Sequence, residues 1–202
     1  SAAEVEGMDW IILPGSKATA ADLAWLRAQG LDAAIAAHAA RGGRVLGICG
    51  GLQMLGEALI DTEGVGGHGP GLGLLALVTR FAAAKTVRPA QHRLGALAGA
   101  WQALSGVEVQ GYEIHHGQTA PHPAMVAQGA QATECLPALA WHNPAGNVLG
   151  LYLHGLFESP QVLQALFGAA APTLDDAFER MAQGVAQWFA PDALPRILPR
   201  VR

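Results

Sequence analysis

The segment Gly47-Ile-Cys-Gly-Gly51 constrains the fold more than any other part of this sequence. It lies at the end of Arg44–Ile48, which has the pattern of a buried strand, and a helical pattern begins at Gly51. A strand that enters a helix through a cysteine, with a glycine two residues to either side, is typical of a nucleophile elbow. The backbone of such a turn is strained, and small neighbours avoid steric clashes. The sequence therefore predicts that Cys49 is a nucleophile at the carboxyl end of a strand.

Strands and helices alternate around this segment, which indicates an α/β fold. An earlier apolar run, Trp10–Leu13, is stopped by a proline and a glycine, and two helical patterns separate it from the strand before Cys49. Parallel strands joined by crossover helices fit this order. Residues 86–119 have the pattern of short strands in a meander or hairpin, and Leu139–Trp141 with Val148–Leu153 form a final strand pair. We expect a doubly wound, mostly parallel sheet flanked by helices, with a mixed or antiparallel extension.

Composition excludes several classes of protein. The chain has 202 residues, of which 51% are hydrophobic and only 14% are charged, so it is not a disordered chain, and we treat 1–202 as one domain. A net charge of −4 and the lack of lysine or arginine clusters argue against a nucleic-acid partner and against a polybasic membrane patch. No apolar run approaches the roughly 20 residues of a spanning helix. We expect a cytoplasmic protein with two reduced thiols, Cys49 and Cys135.

A cysteine nucleophile needs a base, and His154 is the favoured candidate among eight histidines. It follows the last strand, and the carboxyl ends of parallel strands share one edge of a sheet, so His154 and Cys49 can meet there. Surface or structural roles are expected for four other histidines, namely His38, His92, His122 and His142. Cys135 lacks the setting of Cys49, and we interpret it as a small core residue.

Further groups are expected to complete the site. The helix after Cys49 is expected to lower the thiol pKa through its dipole, and the N–H of Gly50 can point at an oxyanion. The turn at Gly15 and Ser16, after the first strand, can supply a second N–H. No G-x-x-x-x-G-K-[ST] segment occurs in the sequence, so an ATP site is not expected in it.

The segment Gly111-Tyr-Glu-Ile-His-His-Gly117 carries a second group of polar side chains. On a strand, Glu113 and His115 would share one face, whereas His116 would lie on the other. No C-x-x-C or H-x-x-x-H spacing supplies a third metal ligand, so we predict no metal site. Contact with a substrate, or the ordering of a loop, is the expected role of Glu113 and His115.

The elbow and the distant histidine resemble those of class I, or triad-type, glutamine amidotransferases, whose elbow has the form G-x-C-x-G-x-Q. One branch, the amidotransferase domain of cobyric acid synthases, is similar over most of the chain, from residue 10 to about residue 168. The similar blocks are Leu13–Thr19, Gly47–Gly56, Gly71–Leu75, Lys85–Val87, Gly111–Gly117 and Tyr152–Phe157. Together these ordered blocks are specific, although any one of them alone would be weak.

The resemblance implies a flavodoxin-like amidotransferase fold and a glutaminase reaction. Cys49 would attack the side-chain amide of L-glutamine, His154 would move the proton, and Gln53 would help to hold the substrate. The ammonia would pass to an N-terminal ATP-binding synthetase domain, which would amidate carboxylates of a corrinoid in cobalamin biosynthesis. ATP and magnesium are implied for that domain and no cofactor for this one. We therefore expect the chain to be the C-terminal part of a longer synthetase.

The sequence departs from the amidotransferase pattern in one position of the site. Many relatives have a glutamate two residues after the catalytic histidine, whereas this chain has Leu156 there. A Cys–His dyad is then expected, with Glu158 as a fallback for orienting the imidazole, and weak activity of the isolated domain follows. Alternatives are the amidotransferase part of cobyrinic acid a,c-diamide synthase or of a peptidoglycan-precursor amidating enzyme, a non-catalytic domain of the same fold, and an unrelated cysteine hydrolase.

Overall fold

A computed structural model describes residues 2–168 and 172–188 of the chain. The strands are β1 (Trp10–Leu13), β2 (Arg44–Ile48), β3 (Ala58–Ile60), β4 (Gly69–Pro70), β5 (Leu77–Arg93), β6 (Glu108–Pro121), β7 (Thr133–Leu136), β8 (Ala140–His142), β9 (Val148–Leu151) and β10 (Leu153–His154). The α-helices are α1 (Ala2–Val5), α2 (Thr19–Ala28), α3 (Leu31–Ala40), α4 (Gly50–Leu55), α5 (Pro123–Ala127), α6 (Pro160–Phe167) and α7 (Leu174–Trp188). Gly99–Leu104 and Leu156–Glu158 form 3₁₀ helices.

The first sheet has the strand order β1-β2-β9-β8-β7. Its three strands β1, β2 and β9 are parallel, and α2 and α3 connect the first two of them, as the alternating sequence pattern predicts. Strands β7 and β8 add to this sheet in the antiparallel sense. The predicted α/β architecture, with a parallel sheet and an antiparallel extension, is therefore confirmed.

The second sheet has the order β10-β6-β5-β3-β4. Its centre is the long antiparallel pair β5 and β6, of 17 and 14 residues, so the expectation of short strands over residues 86–119 is wrong. The register of this pair shifts between Phe81 and Thr86. The length is not evident in the sequence because none of residues 82–93 of β5 is buried, so this part of the strand has no apolar face to produce an alternation.

The chain passes from the first sheet to the second immediately before His154. Strand β9 ends at Leu151, and after Tyr152 the short strand β10 pairs with β6 in the other sheet. Tyr152 itself is fully buried, together with the large side chains Trp101 and Trp141 in the core. The switch between sheets places the candidate base where the two sheets meet.

The segment 120–137 has three prolines, which disfavour regular structure, and it nevertheless contains α5 and β7. The imidazole of His122 caps α5 by accepting the N–H of Met125 at 3.2 Å, so this histidine has the structural role that we expected. The turn over Asn143–Gly146 joins β8 to β9, with the N–H of Gly146 donating to the Asn143 carbonyl at 3.0 Å. The three prolines of residues 191–202 predict an extended chain, and this segment lies outside the described residues.

Helix α7 begins at a cap formed by Thr173, a residue type that favours this position. The Thr173 hydroxyl accepts the N–H of Asp176 at 3.1 Å, and the carboxylate of Asp176 accepts from the Thr173 backbone at 2.8 Å. The apolar stripe of this helix is exposed to solvent. Its residues Leu174, Phe178, Met181, Val185 and Trp188 are between 40% and 87% exposed. Within the ranges 2–168 and 172–188, no helix has the length and apolar character needed to cross a membrane.

Candidate active site

Cys49 occupies the turn between β2 and α4 in a strained backbone conformation. Its φ is 51° and its ψ is −104°, a region that residues with a Cβ rarely adopt. Gly51, two residues on, packs directly against β1, because a Cβ there would lie 2.0 Å from the Leu13 carbonyl oxygen. The N–H of Cys49 donates to the Leu151 carbonyl at 2.8 Å, which anchors the elbow to β9. The local geometry predicted from the glycine pattern is present.

The expectation that the thiol pKa is lowered is wrong for this structure. Burial raises the pKa of the Cys49 thiol above its ordinary value of 9.0, and the N–H of Gly50 and the charge of Lys85 oppose this effect without cancelling it. The thiol group donates to the Ile114 carbonyl at 3.4 Å. Desolvation outweighs the N-terminal end of a helix of only six residues, so the neutral thiol is the resting form at neutral pH.

The turn after β1 lies against the elbow. A Cβ on Gly50 would be 2.6 Å from the backbone nitrogen of Ser16, so the two backbones are in close contact. The hydroxyl of Ser16 accepts the N–H of Ala18 at 3.0 Å and donates to the carboxylate of Asp22, which fixes the turn on α2. The predicted pair of oxyanion donors, from Gly50 and from the turn at Gly15 and Ser16, stays a prediction that this close approach supports.

His154 and Cys49 both lie next to Gly15. A Cβ on Gly15 would be 3.3 Å from the imidazole Cε1 of His154 and 3.8 Å from the Cβ of Cys49. The Nε2 atom of His154 is buried and has no hydrogen-bond partner in the described part of the chain. An unpaired imidazole nitrogen beside a thiol can accept its proton, which is the role predicted for His154.

The residues after His154 do not supply an orienting acid at the usual place. Leu156 is buried in the core, and Glu158, the fallback, is exposed at the end of a 3₁₀ helix. Its Oε2 lies 3.6 Å from the position that a Cβ on Gly155 would take. A role of Glu158 in orienting the imidazole stays a prediction.

Gln53 lies one helical turn after Cys49, and its side chain is engaged inside the protein. Its Oε1 accepts from the Thr19 hydroxyl at 2.9 Å, and its Nε2 donates to the Tyr152 hydroxyl at 3.4 Å. The Tyr152 hydroxyl also shares a hydrogen bond of 2.6 Å with Thr119. Burial raises the pKa of Tyr152 to about 12, so its hydroxyl stays protonated. A direct contact of Gln53 with glutamine stays a prediction, and the geometry gives it a supporting position beneath the elbow.

Glu113 and His115 share one face of β6, as the sequence predicts; Glu113 is buried and His115 is half-buried. The Glu113 carboxylate accepts from Arg88 Nη2 at 2.9 Å and lies 3.6 Å from His92 Nε2 and 3.8 Å from His115 Nε2. Burial acts to raise the pKa of Glu113, but hydrogen bonds and charges, chiefly those of Arg88, lower it overall. The carboxylate is therefore ionised at neutral pH. Substrate contact by Glu113 or His115 stays a prediction.

Three residues near the site were missed or undervalued in the sequence. Arg88 pairs with Glu113 across the hairpin, Lys85 influences the thiol through its charge, and the half-buried His92 lies 3.6 Å from the Glu113 carboxylate. Their spacing along the chain carries no signal, because the register of β5 on β6 brings Arg88 opposite Glu113. A hairpin prediction with the right register would have found the first of them.

The remaining residues singled out in the sequence are the second cysteine and two further histidines. Cys135 is a free, buried thiol, and burial raises its pKa to about 12. His38 and His142 are also buried, and each imidazole contacts a backbone carbonyl, of Arg44 and of Asn143 respectively. Across residues 2–168 and 172–188, no group of three or more His, Cys, Asp or Glu side chains is arranged to hold a metal ion.

Two solved structures of low sequence identity have a similar fold. One, titled as a crystal structure of glutamine amidotransferase, superposes with a TM-score of 0.54 at 18% identity and covers 84% of each chain. The structure of PurLQS from Thermotoga maritima superposes with a TM-score of 0.53 at 17% identity, covering 81% of this chain and 80% of that one. At these identities the likeness concerns the fold alone.

Sequence relatives are much more similar. The cobyric acid synthase of Acidovorax sp. strain JS42 is 75% identical over 194 residues, which is 96% of this chain and 39% of that protein. The cobyric acid synthase of Polaromonas naphthalenivorans strain CJ2 is 64% identical over 202 residues, covering 98% of this chain and 42% of that protein. The chain thus spans about two fifths of the length of these relatives.

The chain also matches the sequence model of a protein family. The model of the CobB/CobQ-like glutamine amidotransferase domain matches residues 1–162, which include the elbow, the turn at Gly15, Glu113 and His115 on β6, and His154. This match covers most of the chain, and its boundary falls within α6. The chain therefore belongs to the family of CobB/CobQ-like glutamine amidotransferase domains.

Proposed function

We propose that this chain hydrolyses glutamine to glutamate and ammonia, with Cys49 as the nucleophile and His154 as the general base and acid. One observation carries the proposal: the strained cysteine and the unpaired imidazole nitrogen come together at the turn of Gly15. Membership of the amidotransferase family supports the same reaction. A buried structural cysteine would need neither a positive φ nor a histidine beside it.

The reaction follows from the two side chains. The Cys49 sulfur attacks the carboxamide carbon of glutamine while its proton moves to His154, giving a tetrahedral oxyanion. The C–N bond then breaks, and the imidazolium returns the proton to the leaving nitrogen, which departs as ammonia. A γ-glutamyl thioester remains on Cys49. Water attacks it as His154 accepts a proton, and glutamate leaves when the thiol is re-formed.

The raised thiol pKa influences how this step begins. The neutral thiol is the resting form, so the thiolate is not present beforehand and has to be formed by transfer of the thiol proton to His154. Donors for the oxyanion are the N–H of Gly50 and an N–H of the turn at Gly15 and Ser16, whose backbone lies against Gly50. We assign Gln53 to the support of the glutamine pocket, from its place beneath the elbow.

The isolated chain is expected to be a weak glutaminase. Leu156 occupies the position where many relatives of the class have a glutamate, so no carboxylate at that position orients the imidazole of His154. An imidazole without a fixed orientation spends part of its time in an unproductive tautomer or rotamer. A partner domain that orders the site would raise the rate.

We infer that the ammonia serves an ATP-dependent amidation of corrinoid carboxylates, as the name of the similar cobyric acid synthases suggests. The remaining three fifths of those proteins would hold ATP and magnesium, since this chain has no phosphate-binding loop of the G-x-x-x-x-G-K-[ST] type. The exposed apolar stripe of α7 offers a surface on which such a part could pack. We further propose a cytoplasmic location, in keeping with two free thiols.

Ammonia release from glutamine tests the proposed reaction. The wild-type chain should release ammonia and glutamate in equal amounts, and Cys49→Ala should release none. Cys135→Ala is the matched control, because it removes the other buried thiol without touching the elbow. Equal activity of the Cys49→Ala and wild-type proteins would disprove the mechanism. For the amidation, the remaining part of the Acidovorax relative, supplied with ATP, corrinoid and this chain, should consume glutamine faster than the chain alone.

A further inference from the structure

The buried carboxylate of Glu113 lies at the centre of three paired strands. Arg88 is directly opposite it on β5, and Leu153 is directly opposite it on β10. Only 2% of the Glu113 side chain is exposed, whereas the Arg88 side chain that donates to it is 63% exposed. A buried charge is costly unless it is paired and hydrogen-bonded, so this ion pair fixes the carboxylate and the strand that carries it.

The residue after Glu113 contacts the nucleophile. The carbonyl of Ile114 accepts from the Cys49 thiol at 3.4 Å, so the position of this backbone oxygen determines where the resting thiol group points. A shift of β6 at Glu113 would therefore move the acceptor of the thiol. Displacements of about 1 Å at a reacting group can lower a rate by about a hundredfold.

The residues before Glu113 contact the strand of the base. Tyr112 is paired with His154, and Gly111 lies so close that a Cβ there would be 1.8 Å from the His154 carbonyl oxygen. One short stretch of β6 thus touches the strand of the imidazole on one side and the thiol on the other. The carboxylate between them is its only buried charge over the stretch from Gly111 to Ile114.

His115 connects Glu113 to helix α4, which follows Cys49. Its Nδ1 lies 2.8 Å from the Gly117 carbonyl, and burial lowers its pKa, so we assign the neutral tautomer with the proton on Nδ1. The ring stacks on Tyr152 at a centroid distance of 3.9 Å. Because the Tyr152 hydroxyl accepts from Gln53 of α4, a change at Glu113 is passed to the helix that begins at Cys49 as well.

We propose that Glu113 is a positioning residue for the Cys49–His154 pair, acting through β6 and not through contact with glutamine. The inference rests on the proposed glutaminase function. It differs from the first of the two roles expected from the sequence, which were contact of Glu113 with the substrate and the ordering of a loop. A positioning residue affects the chemical step, so its loss lowers kcat and leaves KM nearly unchanged.

The test compares two similar carboxylates on the same strand. Glu108 of β6 pairs with Arg93 of β5 as Glu113 pairs with Arg88, but its side chain is 42% exposed and it lies away from the elbow. Glutamine kinetics and thermal unfolding are measured for Glu113→Gln and Glu108→Gln. We expect Glu113→Gln to lower kcat by about tenfold to a hundredfold with KM within about twofold, and Glu108→Gln to match the wild type.

A second readout does not depend on glutamine. The rate at which iodoacetamide alkylates Cys49, followed by mass spectrometry from pH 7 to 10, reports the setting of the thiol. Its pH profile should shift in Glu113→Gln and stay unchanged in Glu108→Gln. If the wild type does not hydrolyse glutamine, the proposed function fails, and the alkylation profiles still decide the role of Glu113. If Glu113→Gln does not fold, Arg88→Met gives the same comparison from the exposed partner, with Arg88→Lys expected to retain activity.

Three results would overturn the proposal. A raised KM with unchanged kcat would make Glu113 a substrate ligand. Equal kcat values for the Glu113→Gln and Glu108→Gln proteins would show that the ion pair of Glu113 and Arg88 has no special effect on the site. A loss of activity that only follows the loss of folded protein, with an unchanged alkylation profile, would reduce Glu113 to a structural role.

Discussion

Gly15 faces the imidazole of His154 so closely that a methyl group on Gly15 would lie 3.3 Å from Cε1. The same methyl group would be 3.8 Å from the Cβ of Cys49, so the turn after β1 touches both members of the proposed catalytic pair. This contact defines the site more directly than the spacing of Cys49 and His154 in the sequence. It also explains why a glycine suits a position whose φ lies outside the left-handed region that favours glycine.

The first prediction is that Gly15→Ala impairs catalysis without unfolding the protein. The added methyl group has to displace the imidazole by a few tenths of an ångström, and misplacement of this kind should lower kcat for glutamine hydrolysis by about tenfold or more. Gly69→Ala is the control, since nothing lies within 4 Å of a Cβ at that position. Wild-type kcat in a folded Gly15→Ala protein would show that the contact with Gly15 does not control the position of the imidazole.

The second prediction concerns the strain at Cys49. A φ of 51° disfavours any residue with a Cβ, so Cys49→Gly should be more stable than Cys49→Ala by about 1 kcal/mol or more. Urea unfolding measures the difference, and both variants should be inactive. Glycine is usually less stabilising than alanine, so this order of stability would be the reverse of the usual one. If alanine is as stable as glycine at this position, the elbow is not strained.

The parts of the fold that depend on local pattern were predictable. The strand, the glycines and the helix around Cys49 are adjacent in the chain, and the run before His154 has strand character, so both residues could be identified. Arg88 opposite Glu113 could not be, because their pairing depends on the register of a hairpin that shifts after Phe81. The fall in thiol pKa was predicted wrongly, since the burial of Cys49 is a property of tertiary packing that the sequence does not display.

The third prediction follows from that pKa. Burial raises the thiol pKa above 9.0. In the absence of glutamine, the rate at which iodoacetamide alkylates Cys49 should therefore still increase with pH at pH 9. The charge of Lys85 lowers the pKa, so Lys85→Met should slow alkylation at pH 8 further. Lys17→Met, the change of the other lysine in the chain, should have no such effect. A plateau in the wild-type rate below pH 8 would contradict the raised pKa.

The fourth prediction compares the two tyrosines of the chain. The hydroxyl of Tyr152 is fully buried and bonded to Thr119 and Gln53, so Tyr152→Phe should destabilise the fold by about 1–3 kcal/mol because both partners lose a buried hydrogen bond. Tyr112, which is 54% exposed, should tolerate the same change. Chemical denaturation measures both. Equal stability of the two variants would mean that water replaces the lost hydroxyl and that Gln53 is not held through Tyr152.

The most direct test of the central claim is covalent labelling by 6-diazo-5-oxo-norleucine, an alkylating analogue of glutamine. The adduct is mapped by mass spectrometry in the intact chain, whose second thiol, Cys135, is a built-in control because it is buried with a pKa of about 12. We expect one adduct, on Cys49, that glutamine suppresses and that Cys49→Ala abolishes. Labelling of Cys135 instead, or no labelling that glutamine can suppress, would contradict the assignment of Cys49 as the nucleophile of a glutamine amidotransferase.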